Sequence, residues 1–300
     1  MDSEIGNSLL TIVVPVHNMS GRLTNLSKWL DETDSKSVKV ILVHDQSQDT
    51  TGAELLALLE KKNSQNISLF ETNVQSPGMA RNRGLEAVGT PWFSFADSDD
   101  LVCVSSVVDL IAETEAKNSD IGIGSYVSIN MNSGEERIIS PPPSEEDLLL
   151  IHLANGMGLW RFVLSTSCFG DLRFTSHKMG EDYLYSSLVL NRSTRIFTSH
   201  KIVYKYFHGG VGNLTSNQSV MSEMFGVIDS IKKIKPMTRN VTTFKVFAIQ
   251  KLTLSVLKNL EPKEKIFEKV LLSLNLLLHP FYLFKLILSI KRRKYGLLSE

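Results

Sequence analysis

At 300 residues, with thirty-two basic and thirty-two acidic side chains cancelling, the chain can bury a full core and lacks the basic surplus of a general nucleic-acid binder. Cys103 and Cys168 are its only cysteines, too few for a zinc cluster or a disulfide framework, and a reducing compartment is expected. No basic stretch precedes the first apolar run, so no cleaved secretion signal is expected and the chain is expected to remain in the cytoplasm.

Leu9 to Val16 is short, apolar and β-branched, and ends at Val16-His17-Asn18; it reads as a buried first strand opening into a loop. Leu23, Leu26 and Leu30 fall at helical spacing, which predicts a returning helix over residues 20–31. Val38 to Val43 predicts a second buried strand. The polar run from His44 to Thr51 reads as a strand-to-helix loop before a helix at 52–62. Ile67 to Glu71 gives a third strand, Asn73 to Gly78 a turn with Ser-Pro-Gly at its tip, and Ala80 to Val88 another helix. Strand and helix thus alternate over the first hundred residues, which predicts an α/β fold: a mostly parallel sheet with helices on both faces. The first turn lacks Gly-x-Gly-x-x-Gly, which disfavours a dinucleotide-binding dehydrogenase. The sole Gly-x-Gly, at Gly122 and Gly124, lies inside an alternating strand and reads as a packing or bulge feature.

Trp92 to Leu101 dominates the chemistry. An aromatic run of strand length stops at Asp97, Ser98, Asp99 and Asp100, which places three carboxylates at a strand's C-terminal edge. In open α/β sheets ligands bind at that edge, and gathered carboxylates repel unless a cation or a donor-rich ligand neutralises them. Asp-x-Asp there suits Mg²⁺ or Mn²⁺ bound through one or two carboxylates and phosphate oxygens; helix capping is the competing role.

Further on, 105–116 reads as a helix, Ile121 to Ile129 and Arg137 to Ser140 as strands, and a helix capped by Ser144 follows the prolines at 141–143. Residues 157–180 lack clean periodicity and read as a binding surface more than a core element. Gly180-Glu181-Asp182 opens a helix, and Ile196 to Phe207 is a strand pair or one bent strand before the glycine-rich run at His208. Domain boundaries are set at 8–215 for the catalytic part and 216–300 for a C-terminal helical region. Ile266 to Ile290 is leucine-rich, is interrupted by Asn275, His279, Pro280 and Lys285, and is closed by Lys291-Arg292-Arg293-Lys294. A spanning helix needs about twenty uninterrupted apolar residues. Interfacial helices on anionic lipid are expected instead, against the alternative of a packed appendage or oligomer interface.

Four separated pieces resemble one family: Thr11 to Asn18, Val40 to Thr50, Asn73 to Gly84 with Gly78-Met79-Ala80-Arg81-Asn82-Arg83-Gly84, and Phe95 to Asp100. In order and spacing they are similar to the inverting family-two glycosyltransferases of the GT-A fold, of the bacterial polysaccharide type, and Glu181-Asp182 resembles the acidic pair those enzymes carry about eighty residues later. The resemblance implies that Pro15, His17, Asn18, Asp45, Gly78, Arg81, Asp97 and Ser98 line the nucleotide pocket. It implies that Asp97 and Asp99 hold Mg²⁺ or Mn²⁺, and that Asp182, beside Glu181, is the general base. It also implies a nucleotide sugar donor, UDP-sugar favoured, and a saccharide or lipid-linked acceptor at the inner face of the cell membrane. His44 and Gln46 stand where the family has an acid and a glycine, which puts base identity in question. Three rivals remain: a metal-dependent nucleotidyltransferase, which lacks its glycine-rich loop here, a degenerate sugar- or nucleotide-binding protein without turnover, and a membrane scaffold whose C-terminal helices are the functional part and whose head is inert.

Overall fold

The computed structural model describes residues 8–36, 38–142, 158–209 and 223–259, together with Leu153. These fall into two compact units, drawn from 1–141, 159–176 and 195–213 on one hand and 142–158, 177–194 and 214–300 on the other. The expected helix at Ser144 and the stretch from Ile266 to Lys294 lie outside the described residues.

The first unit is built on β1 (Leu10–Val16), β2 (Val38–Asp45), β3 (Ile67–Thr72) and β4 (Trp92–Phe95). They pair in the order β3-β2-β1-β4, all parallel, with Leu10 opposite Val38 and Trp92. β1 reads Leu-Thr-Ile-Val-Val-Pro-Val because both its faces are covered. On one face Ile12, Val14 and Val16 pack with Leu26, Trp29 and Leu30 of α1 (Thr24–Leu30) and Leu55 of α2 (Thr51–Lys62). On the other, Gly84 of α3 (Pro77–Leu85) lies so close that an added Cβ would sit 2.3 Å from Val13 Cγ1. Helices therefore cover both faces, and the four strands end along one edge.

The expected Ser-Pro-Gly turn is instead the first turn of α3. Ser76 caps it, accepting from the Met79 N–H, and Pro77 takes the first helical position, where its missing N–H removes no hydrogen bond. β2 also runs two residues past its expected end, to Asp45, because His44 and Asp45 still pair with Glu71 and Thr72.

The remaining strands make the sheet mixed. β5 (Leu101–Val102), β6 (Ile121–Asn130), β7 (Glu136–Ile139), β8 (Phe162–Ser165) and β9 (Ile196–His208) extend it in the order β4-β8-β6-β9-β5, with β7 on β6. β8 is antiparallel to β4 and β6, β6 is parallel to β9, and α4 (Val104–Ala116) packs on β6 and β9. β8 falls within the stretch expected to be a binding surface. Phe162, Val163 and Leu164 are instead buried in the middle of the sheet. A four-residue strand covered on both faces shows no alternation for a periodicity argument to detect. β9 is one strand, whose pairing with β6 shifts register around Ser125; Gly122 and Gly124 accept close packing from Val163 and Val203 there. In a flat sheet β4 and β5 would lie roughly 19 Å apart, four strand spacings. Residues 96–100 join them through a turn closed by Asp100 N–H on the Asp97 carbonyl oxygen, so the sheet must curl.

The second unit is helical in its described part apart from its leading loop. α6 (Glu181–Arg192), α7 (Glu223–Lys233) and α8 (Arg239–Asn259) pack on one another. Thr238 Oγ1 donates to the Leu190 carbonyl at 2.7 Å, and Lys245 reaches the carbonyls of Lys232 and Ile234 at the end of α7. A short helix in the first unit, α5 (Thr166–Phe169), follows β8. No helix among the described residues is long and apolar enough to cross a membrane.

Candidate active site

The edge where β1, β2, β3 and β4 end gathers most of the expected residues. Pro15 lies next to the end of β1, opposite Val43, and after Val16 come His17 and Asn18 on an exposed loop. His17 Nδ1 donates to the Asp45 carbonyl oxygen at 2.6 Å, which ties that loop to the end of β2. Asn18 is left-handed, with φ of 50°, and is held by its N–H on Ser47 Oγ (2.9 Å) and its Oδ1 under the Gln48 N–H (3.0 Å). Non-glycine residues hold such a conformation where their surroundings over-determine it.

Asp45 is 4% exposed and caps no helix. Its Oδ1 accepts the Val74 N–H at 2.8 Å and its Oδ2 the Ser76 N–H at 3.2 Å, bracketing Gln75, a second left-handed residue with φ of 50°. Each oxygen retains a second lone pair for a ligand. Gly78 is buried in the first turn of α3. Arg81, one turn on, is buried; its Nη2 donates to Asp97 Oδ1 at 2.8 Å and its guanidinium lies 5.6 Å from the Phe174 ring centroid.

Asp97, buried Ser98, Asp99 and Asp100 form the turn after β4. The Asp97 N–H donates to the Tyr204 hydroxyl (2.9 Å), which donates to Asp100 Oδ2 (3.0 Å), while Phe207 N–H reaches Asp100 Oδ1 (2.8 Å). Asp100 therefore ties the acidic turn to β9; the N-cap position of α4 is held by Cys103, so Asp100 is not its cap. Burial first, then the charges of Asp97 and Asp99, push Asp100 up to about 9. Asp99 is raised by burial and by Asp97, offset in part by the Arg22 guanidinium. Its carboxylate forms no ion pair and no side-chain hydrogen bond with another described residue. No group of three His, Cys, Asp or Glu side chains able to hold a metal occurs among the described residues. Two neighbouring carboxylates at a strand end, Asp97 and Asp99, nevertheless suit an ion whose other ligands are phosphate oxygens and water.

An aromatic wall stands beside these acids, and sequence reasoning missed it. Trp160 stacks on Tyr204 (4.3 Å between centroids) and Tyr206 (5.6 Å), and Tyr206 stacks on His208 (5.7 Å). Burial, then the charges of Asp100, Asp97 and Asp99, push the Tyr206 hydroxyl up to about 12. The available signal was the i, i+2, i+4 spacing of Tyr204, Tyr206 and His208, which puts them on one face of a strand. His208 thus joins the wall; the glycine-rich run after Gly209 lies outside the described residues.

Glu181 and Asp182 belong to the second unit, in the first turn of α6 after left-handed Gly180. Glu181 is 8% exposed, and Asp182 Oδ1 accepts the Tyr183 N–H at 2.9 Å. A carboxylate pair in a first helical turn is favoured by the helix dipole and by orphan N–H groups, whatever else it does.

Parallel strands ending in acids, with their loops cross-tied by side chains, place this protein among the open-sheet α/β proteins, in which ligands sit beyond the strand ends. The model of the family described as Glycosyl transferase family 2 matches residues 11–174, more than half of the chain, and the chain belongs to that family. It is 25% identical to "Glycosyltransferase GlyA" of Streptococcus pneumoniae over 66% of its own length and 30% of that protein's. It is 24% identical to "Poly(ribitol-phosphate) beta-N-acetylglucosaminyltransferase TarS" of Staphylococcus aureus over 72% of its length and 38% of that protein's. The chain thus spans well under half of these relatives. Among solved structures, S. aureus TarS 1-349 in complex with UDP-GlcNAc superposes with a TM-score of 0.61 at 18% identity, covering 88% of this chain and 75% of that one. The mannosyltransferase PcManGT of Pyrobaculum calidifontis, in complex with GDP-Man and Mn²⁺, gives 0.55 at 12% identity, covering 96% and 87%. The fold is therefore the GT-A type of these enzymes.

Proposed function

We propose that this protein transfers a sugar, with inversion, from a nucleotide diphosphate sugar to a saccharide or lipid-linked acceptor. The observation that carries the reading is Asp99, a half-buried carboxylate beside Asp97 at the ends of the parallel strands, raised by both and paired with no described cation within ion-pair distance. UDP is the favoured nucleotide, supported by the UDP-GlcNAc held by the S. aureus neighbour.

Pro15, His17, Asn18 and Asp45 would surround the base and ribose, and Gly78, Arg81 and Ser98 would lie along the ribose and diphosphate. Asp97 and Asp99 would hold Mg²⁺ or Mn²⁺, which when bound neutralises charge on the departing diphosphate. Arg81 already donates to Asp97, which places a guanidinium beside the acids where it suits the anionic oxygens of a diphosphate. The Tyr204–Asp100 linkage keeps the acidic turn in place with no reorganisation.

Inversion requires the acceptor oxygen to bond the anomeric carbon on the face opposite the breaking bond to the diphosphate. Asp182 is assigned to take the acceptor's proton, with Glu181 beside it, and the diphosphate leaves with the electron pair. The C-terminal helices would keep the enzyme at the inner membrane face. The test incubates the purified protein with UDP-sugars, with and without Mn²⁺, and follows metal-dependent binding and release of UDP. Binding without any release of UDP, even with saccharide acceptors present, would favour a binding protein without turnover; absence of both would remove the reading.

A further inference from the structure

At the end of β2, His44 occupies the position where an acid was expected, and the structure shows what it does there. Its side chain is 9% exposed and is gripped from three sides. Nδ1 lies 2.8 Å from Glu71 Oε2 on the neighbouring strand β3. Nε2 lies 2.9 Å from Ser47 Oγ and 3.4 Å from the Ser47 N–H. Gly52, in the first turn of α2, leaves the space the ring fills: a Cβ there would come within 2.9 Å of His44 Cε1.

The polarity of this chain of groups is consistent throughout. A carboxylate can only accept, so Nδ1 carries the proton toward Glu71. Nε2 is then the acceptor for Ser47, whose hydroxyl oxygen in turn accepts the Asn18 N–H at 2.9 Å. Four groups on three adjacent loops and strands are thereby connected, and the last is Asn18, whose left-handed backbone needs external support.

We propose that Glu71, acting through His44 and Ser47, is a positioning residue for the nucleoside end of the donor site: the relay holds Asn18 and the loop after β1 in the conformation that receives the nucleotide. This rests on the nucleotide-sugar reading above. Glu71 itself is exposed and need not touch the donor, so the acid missing at position 44 has been replaced by a neighbouring acid working through an imidazole. The relay acts on donor affinity, because preorganising a loop removes an ordering cost from binding.

The test measures UDP and GDP affinity by calorimetry in the presence of Mg²⁺, with thermal midpoints recorded in parallel. Glu71→Leu, Ser47→Ala and Gly52→Ala, which crowds the imidazole, are each expected to weaken the preferred nucleotide by about fivefold or more, the usual worth of one such hydrogen bond. Glu71→Gln keeps an acceptor for Nδ1–H and is expected to bind within about twofold of the wild type. The Glu71→Leu/Ser47→Ala double variant is expected to be no worse than the poorer single, since both cut one relay. Wild-type affinity in Glu71→Leu, or effects that multiply in the double variant, overturns the proposal, as does a lower thermal midpoint with unchanged affinity. The ¹⁵N shifts of the His44 ring separate this from the parent reading: a protonated Nδ1 and a bare Nε2, lost in Glu71→Leu, establish the relay, and the reverse tautomer overturns it. If the wild type binds neither nucleotide while the ring signature is present, the nucleotide reading has failed and the donor role falls with it.

Discussion

Asp97 carries the Arg81 guanidinium, whereas Asp99, beside it, has no such partner, and the two substitutions therefore report different things. Asp99→Asn keeps shape and removes charge from the crowded turn without stripping a buried arginine. It is expected to abolish the dependence of nucleotide binding on a divalent ion while the fold survives; equal nucleotide affinity in the wild type with and without a chelator would sink the idea. Asp182→Asn should leave donor affinity nearly intact and lower turnover by about a hundredfold or more, because a general base acts on the acceptor. Turnover at the wild-type rate would reduce Asp182 to the helix-terminal role that its bond to the Tyr183 N–H already supports. Much of this edge was legible in the residues themselves, since an aromatic strand stopping at Asp97-Ser98-Asp99-Asp100 has few other uses. What was not legible is which acid is engaged in holding the loops. Asp45 brackets Gln75 and Asp100 holds β9, contacts made to residues 29 or more positions away that no local pattern announces.

At the scale of elements, α3 is the most constrained piece near the site, because it presents Arg81 from a helix pressed against β1 and β2. Gly84 makes that approach: a Cβ there would meet Val13 Cγ1 at 2.3 Å and Val43 Cγ2 at 3.3 Å, β-branched side chains with little freedom to yield. Gly84→Ala gains helix propensity yet is expected to lose about 1–3 kcal/mol overall, the usual cost of overpacking, measured by chemical denaturation. Stability equal to the wild type would mean that α3 slides without penalty, and Arg81 with it. The parallel strands announced themselves through apolar, β-branched runs, but β8 did not. Its neighbours β4 and β6 come from residues 92–95 and 121–130, so its burial is decided by tertiary pairing and not by its own four residues.

At the scale of the molecule, the C-terminal region divides at the end of α8. Phe244, Phe247 and Leu252 of α8 are buried, and α7 and α8 pack with α6, whose first turn carries Glu181 and Asp182; removing residues from 223 onward would strip the core from under that turn. Residues 260–300 hold the leucine-rich stretch and Lys291, Arg292, Arg293 and Lys294, a composition suited to lying on an anionic leaflet. Each basic residue near such a surface contributes roughly 1 kcal/mol, so four supply several, screened over about one Debye length. Such an anchor would suit a lipid-linked acceptor by confining both reactants to one surface. Truncation after Asn259 is therefore expected to leave a folded protein that still binds nucleotide but no longer pellets with anionic vesicles. The full-length chain should pellet at low salt and be released as salt rises. If it stays in the supernatant at low salt, or if the truncated protein loses its nucleotide site, residues 260–300 serve the core or a contact between chains, and the membrane assignment fails.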